Sequence, residues 1–306
     1  MVATMFIRNV AYLDFALVRG DGYPIGGSYV LDIEVDSDLS AEEQNEICFT
    51  YNTIQQFVNL HLTHPDHGYD HRLWYLDSLS GGVLLSNTSL LTPVFDCNLP
   101  VGSIRHITTS TRHSSVDEMF QESFQELLMA EADATFQGQI SAIRIKAHPL
   151  TQSRSDCQVA VRFVHGQRDS VCYGPQNMIH GHYGSVEWNH TREFRKDCND
   201  CQAAVQELIS AILQLDHAVW INRRDILEHD EQEMILTVGF ESNRGSSRAT
   251  YQVDRCKVLS LDYEPTIENV ARWFVETHGD ILRRAHVESI FFNEGVRQGA
   301  TIKVHG

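Results

Sequence analysis

Residues 24–35, PIGGSYVLDIEV, and residues 178–189, MIHGHYGSVEWN, decide how this chain is read. Both are strand-like runs, and they align with Gly26 against His180. Three further landmarks recur at nearly the same spacing. GYDHRLW (68–74) matches QLDHAVW (214–220), with Asp70 against Asp216; Ser115 in SSVDEMF matches Thr266 in PTIENVA; Ile143 in SAIRIKA matches Ile290 in ESIFFNE. An order of elements that returns at a near-constant offset signals duplication. The chain therefore reads as two repeats, 1–155 and 156–306, each running strand, turn, strand, helix, insert, helix, strand.

The periodicities supply the elements. Val205, Leu208, Ile209, Ile212 and Leu213 stand at helical spacing, so the sequence predicts one apolar stripe facing a core; Ile54, Phe57, Val58 and Leu62 do the same in the first repeat. Ser115 and Glu118 have the spacing of a capping box at a helix start. VAVRFVH and GSVEWN read as paired strands and SIFFNE as the closing strand.

With 42% apolar and 9% aromatic residues among 306, the chain can bury a sizeable core. Arg8 and Asp14 interrupt the apolar N-terminal run, and nowhere do about eighteen uninterrupted apolar residues occur. A soluble, unexported protein without a membrane partner is expected. Seven cysteines, an odd number thinly spread, fit reduced thiols and a cytoplasmic setting. Cys198 and Cys201 form a lone C-x-x-C with no second pair, and with Asp200 they read as the polar start of a helix. A formal charge of −17 argues against a nucleic-acid surface, because phosphate binding depends on clustered cations.

Histidine carries the chemistry. Sixteen histidines in 306 residues make about one His-x-His by chance, so the pair His180 and His182 is informative only in context. On a strand, residues two apart project from one side, and His165, one strand earlier, adds a third imidazole. Three neutral imidazoles with one position left open make a catalytic zinc site. A rival cluster, His61, His64, His67 and His71, has helical spacing, but Pro65 breaks the helix that would align it.

In order along the chain stand His165, Cys172, HGH at 180–182, Asp216 with His217, PTIEN at 265–269, and Glu294. With that ordered set the second repeat resembles the 6-pyruvoyl-tetrahydropterin synthase and 6-carboxytetrahydropterin synthase family. The resemblance implies an α+β T-fold, antiparallel sheets with paired helices that assemble into barrels, and hence a homo-oligomer. The first repeat looks like the same fold with its metal site lost, Leu17, Gly26 and Ser28 standing for the histidines and Ala147 for the glutamate. It keeps the pair Asp70 and His71. Family sites lie at subunit interfaces with this pair contributed across the boundary, so the pair either completes a neighbouring site or is a helix-end feature retained by descent.

The resemblance also implies the chemistry. Zn2+ held by His165, His180 and His182 would polarise 7,8-dihydroneopterin triphosphate, with Cys172 as base or proton shuttle. The family places its cysteine four to six residues before HGH; here eight separate Cys172 from His180, and Gln176 occupies the shorter spacing. Asp216 would orient His217 for proton exchange, Glu294 would anchor the pterin edge, and Thr266 would add a contact or simply cap its helix. The implied activity is a lyase forming 6-carboxytetrahydropterin for queuosine biosynthesis. The alternatives are triphosphate elimination to 6-pyruvoyltetrahydropterin, or a pterin- or purine-binding protein without turnover. A zinc hydrolase would need a carboxylate base near the open site, and Glu187 should point to the opposite strand face.

Overall fold

The chain runs twice through one order of elements. The computed structural model describes residues 2–18, 24–38, 50–76, 83–86, 89–91, 96–99, 102–107, 115–150, 156–166, 179–230, 235–242, 245–252, 257–295 and 298–304. The first half holds β1 (Val2–Val18), β2 (Pro24–Asp38), α1 (Tyr51–Leu62) and β3 (Arg72–Leu76). Three short strands follow, β4 (Val83–Ser86), β5 (Ser89–Leu91) and β6 (Asp96–Asn98), then β7 (Ile104–Ile107), α2 (Val116–Phe136) and β8 (Ile140–Pro149). The second half repeats the pattern: β9 (Gln158–Gly166), β10 (Ile179–His190), α3 (Asn199–Leu213) and β11 (Ala218–Asn222). Its insert is β12 (Ile226–Asp230), β13 (Ile235–Ser242) and β14 (Gly245–Gln252), followed by β15 (Lys257–Leu261), α4 (Ile267–Arg284) and β16 (Val287–Glu294). An additional strand, β17 (Gln298–Lys303), pairs with β16 beyond the closing strand read from the sequence.

Strand order matches as well. The first main sheet runs β7-β3-β1-β2-β8, and the second runs β15-β11-β9-β10-β16-β17. The inserts join in a third sheet, β12-β13-β14-β6-β5-β4, whose middle seam pairs a strand from each half. The sheets are mixed rather than purely antiparallel, which corrects the expectation: β3 and β7 add in parallel to β1, and β11 and β15 to β9. The reason is the helix between β2 and β3, a crossover that returns the chain in the direction of β1 and lays it alongside.

Three of the four helix starts carry a side-chain cap. Thr50 caps α1 through Thr53 N, Ser115 caps α2 through Glu118 N, and the Cys198 sulfur accepts from Cys201 N at 3.3 Å, so the C-x-x-C is a helix cap. α1 buries Ile54, Phe57, Val58 and Leu62 as read from the sequence, with His61 beside them. The α3 stripe holds for Leu208 and Ile212, with Val205 and Ile209 partly buried against the same core. Cys201, Ala204, Leu208, Ala211 and Ile212 are buried, while Leu213 is exposed. Small residues at the centre let the helix approach its neighbours closely, and α4 packs against it.

Each main sheet buries one face under its own helices. The other faces meet in a third core, where Ala16, Val18, Leu73 and Tyr75 pack with Val164, Ile179, Val219 and Ile221. At one end of this contact backbone meets backbone. A Cβ on Gly181 would stand 2.6 Å from the Gly26 Cα, and one on Gly26 would collide with the carbonyl oxygens of Phe163 and His182. Glycine is required at both positions by this approach.

The strand registers fix which positions correspond. Leu17 pairs with Ile25 and Trp74 just as His165 pairs with His180 and Trp220. Phe15 pairs with Gly27 as Phe163 does with His182, and Leu31 with Ala147 as Val186 does with Phe292. The first-half residues opposite the three histidines are therefore Leu17, Ile25 and Gly27, not Leu17, Gly26 and Ser28, and Pro149 rather than Ala147 stands opposite Glu294. A one-residue slip moves every side chain to the other face, so the distinction decides which residues line the site. Among the described residues no helix is long and apolar enough to cross a membrane.

Two outcomes follow. Gly26→Val should destabilise the protein by about 1–3 kcal/mol or more in urea unfolding, because the obstructing atoms are backbone. On the exposed face of β2, Arg144 forks onto Asp36 at 2.6 and 2.8 Å and, with Thr4, holds its carboxyl at about 2. A lowered carboxylate pKa stabilises the fold above its unfolded value and loses that contribution as pH falls through about 2. Asp36→Asn should accordingly flatten the acid limb of a stability-against-pH curve and leave its slope near pH 7 unchanged.

Candidate functional site

Three imidazoles gather where β9 and β10 lie side by side. His165 pairs directly with His180, and His182 follows on the same face; their relative exposures are 0%, 5% and 1%. Ring centroids are 5.4 Å apart for His165–His180, 5.4 Å for His165–His182 and 5.1 Å for His180–His182. Imidazoles placed tetrahedrally around one zinc, with metal–nitrogen bonds of about 2 Å, would have centroids about 5 Å apart. The centroid spacing matches rings around a single ion, yet the donor atoms that lie within 4.8 Å of one another are those of His165, His182 and Glu294, a set that leaves out His180.

Glu294, at the end of β16, enters the same space. Its Oε1 is 3.2 Å from His165 Nε2 and 2.9 Å from His182 Nε2. Donor atoms of His165, His182 and Glu294 all lie within 4.8 Å of one another, a set that fits a metal ion. Neither ring nitrogen of His165 or His182 makes a hydrogen bond of normal geometry, although all four are buried. Buried polar atoms are rarely left so, and a cation is the partner that nitrogen and carboxylate donors share.

The electrostatics agree. Burial pushes the His165 ring down, and burial together with the neighbouring His182 and His71 rings pushes His180 well down, keeping both neutral as ligands must be. Burial also opposes a charged His182, yet the carboxylates of Glu294 and Asp14 outweigh it and raise this ring to about 10. Glu294 is held well below the usual carboxylate range by His182 and His165 despite its burial. A pocket that keeps a positive charge against desolvation demands one, which a divalent cation would supply.

The first half completes the surroundings. The His71 ring stands 5.3 Å from His180 and 5.8 Å from His182, and its Nδ1 is 2.8 Å from Asp70 Oδ2. Burial opposes its charge, but Asp70 and Asp14 raise its pKa. His71 adopts φ +53°, a left-handed turn that sends its N–H to Asp14 O at 2.7 Å. Asp70 Oδ1 accepts from Asp14 N at 2.9 Å.

Asp216 and His217 make the same backbone pattern elsewhere. His217 has φ +60° and donates to Arg162 O, and Asp216 Oδ1 accepts from Arg162 N. This pair is not among the groups around the three rings. It lies beside Arg162 and Tyr183, which border an open cleft of about 540 Å³ lined by Leu17, Ile25, Gly27 and Pro149. The cleft occupies the first half's equivalent of the histidine site; Leu17, Ile25, Gly27 and Pro149 carry no metal donor in their side chains, while Ser115 and Asp117 at the start of α2 also line it.

The remaining expected residues are placed as follows. Thr266 is the N-cap position of α4 without a side-chain cap bond, and the adjacent Pro265 carbonyl faces His165. Cys172 lies outside the described residues. Of the rival cluster, His61, His64 and His67 do meet, with His61 Nδ1 3.2 Å from His67 Nε2, whereas His71 is drawn away to the other site. Glu187 binds Gln158, Ser185 and Asn293 on the opposite strand face. Sequence reasoning missed Asp14 as a member of the site; its signal was a carboxylate inside an apolar strand.

No curated protein matches the chain. Among solved structures, an uncharacterized protein from Wolinella succinogenes is 18% identical, covering 48% of this chain and 96% of its own, with a TM-score of 0.33. The 6-pyruvoyl tetrahydropterin synthases of Plasmodium falciparum and Plasmodium vivax are 14% and 15% identical, each covering 47% of this chain and 94% of their own, with TM-scores of 0.33. The assignment rests instead on the family model for 6-pyruvoyl tetrahydropterin synthase, which matches residues 147–304, just over half of the 306. The chain belongs to the 6-pyruvoyl tetrahydropterin synthase family.

Proposed function

We propose that this protein is a zinc-dependent lyase acting on 7,8-dihydroneopterin triphosphate, built from two tandem T-fold repeats, 1–155 and 156–306, of which only the second keeps a metal site. The matching element and strand orders support the duplication. The observation that carries the function is the convergence of three buried imidazoles, a glutamate and an Asp-His pair within one pocket.

His165, His180 and His182 would hold the ion, which when bound would supply a Lewis acid for the side-chain oxygens of the substrate and so acidify the neighbouring C–H protons. Glu294 accepts hydrogen bonds from the pterin edge. Asp70 orients the His71 imidazole for proton transfer, with Cys172 as its expected counterpart. In this reading the pair at the site comes from the degenerate repeat of the same chain, so the interface that family sites use is built within one polypeptide. The proposed product is 6-carboxytetrahydropterin, in queuosine biosynthesis; 6-pyruvoyltetrahydropterin begins from the same proton removal. Among the described residues β7, β8, β15 and β17 stand at the edges of the main sheets, and closing such edges into a barrel, which pairs backbone groups, favours a homo-oligomer.

Elemental analysis of purified protein should give one zinc per chain, lost in a His165→Ala, His182→Ala double variant. Incubation with the substrate and mass spectrometry should show 6-carboxytetrahydropterin; a 6-pyruvoyl product would move the protein to the other branch, and no consumption by zinc-loaded protein would end the lyase reading. His71→Ala should lower kcat by about 10²–10⁴ with zinc content retained. Glu294→Gln should raise KM without loss of zinc; loss of the metal would instead make Glu294 a ligand.

A further inference from the structure

We propose that Asp14, on β1 of the first half, is a positioning residue for His182: its carboxylate holds the Nδ1 side of the ring and leaves Nε2 to the metal. The inference rests on the reading of His182 as a ligand. Asp14 is 8% exposed, and its Oδ2 is the carboxylate oxygen facing His182 Nδ1, at 3.4 Å, while Nε2 faces Glu294. That distance is longer than a made hydrogen bond, so the contact acts by charge and orientation. The Ser28 hydroxyl donates to Asp14 Oδ1 and fixes the side chain, and the same Ser28 oxygen accepts from Tyr183 N at 3.0 Å, next to His182.

Two features show that the carboxylate serves the site rather than the fold. Gly295, directly after Glu294, has φ +59°, and a Cβ there would collide with both Asp14 carboxylate oxygens. The end of the glutamate strand is shaped to admit this acid. The equivalent position of the second half is Arg162, whose backbone makes the same two bonds, to Asp216 and His217, while its side chain lies over the Tyr183 ring at 4.4 Å. The backbone arrangement therefore accepts an arginine as readily as an aspartate. Only the half that faces the imidazoles from across the sheets places a carboxylate there. Metal-binding histidines take their tautomer and orientation from such a partner, whose loss typically weakens metal binding about 10–100-fold.

The test is zinc affinity of the full chain by chelator competition, with cobalt(II) absorption as the spectroscopic readout. Asp14→Ala should weaken zinc about 10–100-fold and shift the cobalt bands. Asp14→Asn, which keeps the shape of the side chain but removes its charge, should recover no more than part of that loss, and Arg162→Ala should change neither readout. Unchanged zinc affinity and cobalt spectrum in Asp14→Ala would overturn the proposal while leaving the metal site intact; failure of the wild-type chain to bind zinc would overturn both. Should Asp14→Ala not fold, imidazole 15N shifts of the zinc-loaded wild type decide: Nδ1 protonated and Nε2 metal-bound on His182 is the expected tautomer, and the reverse refutes it.

Discussion

The backbone approach at Gly26 and Gly181 is the constraint on which the rest of the structure depends. It brings the inner faces of two sheets together at the level of the histidine strand, with no side chain between them. Everything the first half contributes to the site follows from that proximity. Asp14 reaches His182, and His71 reaches His180 and His182, because Asp14 on β1 and the start of β3 lie beside the place where the glycines let the sheets touch. The third core, with its shared insert sheet, then locks the relative position of the halves.

A consequence is a division of labour between the halves. The second half supplies donors whose burial would be costly without a cation, and the first supplies the carboxylates that stabilise positive charge there. Where the same backbone pattern recurs on the other side, the donors are replaced by Leu17, Ile25, Gly27 and Pro149, and the partner acid by Arg162. The result is an open, largely apolar cleft. One backbone plan thus carries two pockets of different chemistry, set by about five side chains.

Legibility in the sequence was uneven for physical reasons. Helix caps at Ser115 and Cys198 and the α1 stripe were readable because they depend on residues within one turn or two. The stripe of α3 was legible in Leu208 and Ile212 but not in Ala204 and Ala211, because alanines carry little hydrophobic signal. The correspondence between halves was off by one on β2, since Gly26 belongs opposite Gly181 and a run of two glycines disguises the slip. The parallel members of the main sheets were missed because strand neighbours are chosen by crossovers, not by local pattern.

The sequence by itself determined the family, the repeated order of elements and the identity of the three imidazoles, because each is carried by spacing along the chain. Only the tertiary structure decided which Asp-His pair stands at those rings: Asp70 and His71 do, while Asp216 and His217 bind the backbone of Arg162 away from them. It also decided the place of Asp14. The reason is that both choices depend on contacts between residues more than 100 positions apart, and such contacts are set by how two sheets meet, which no local pattern records.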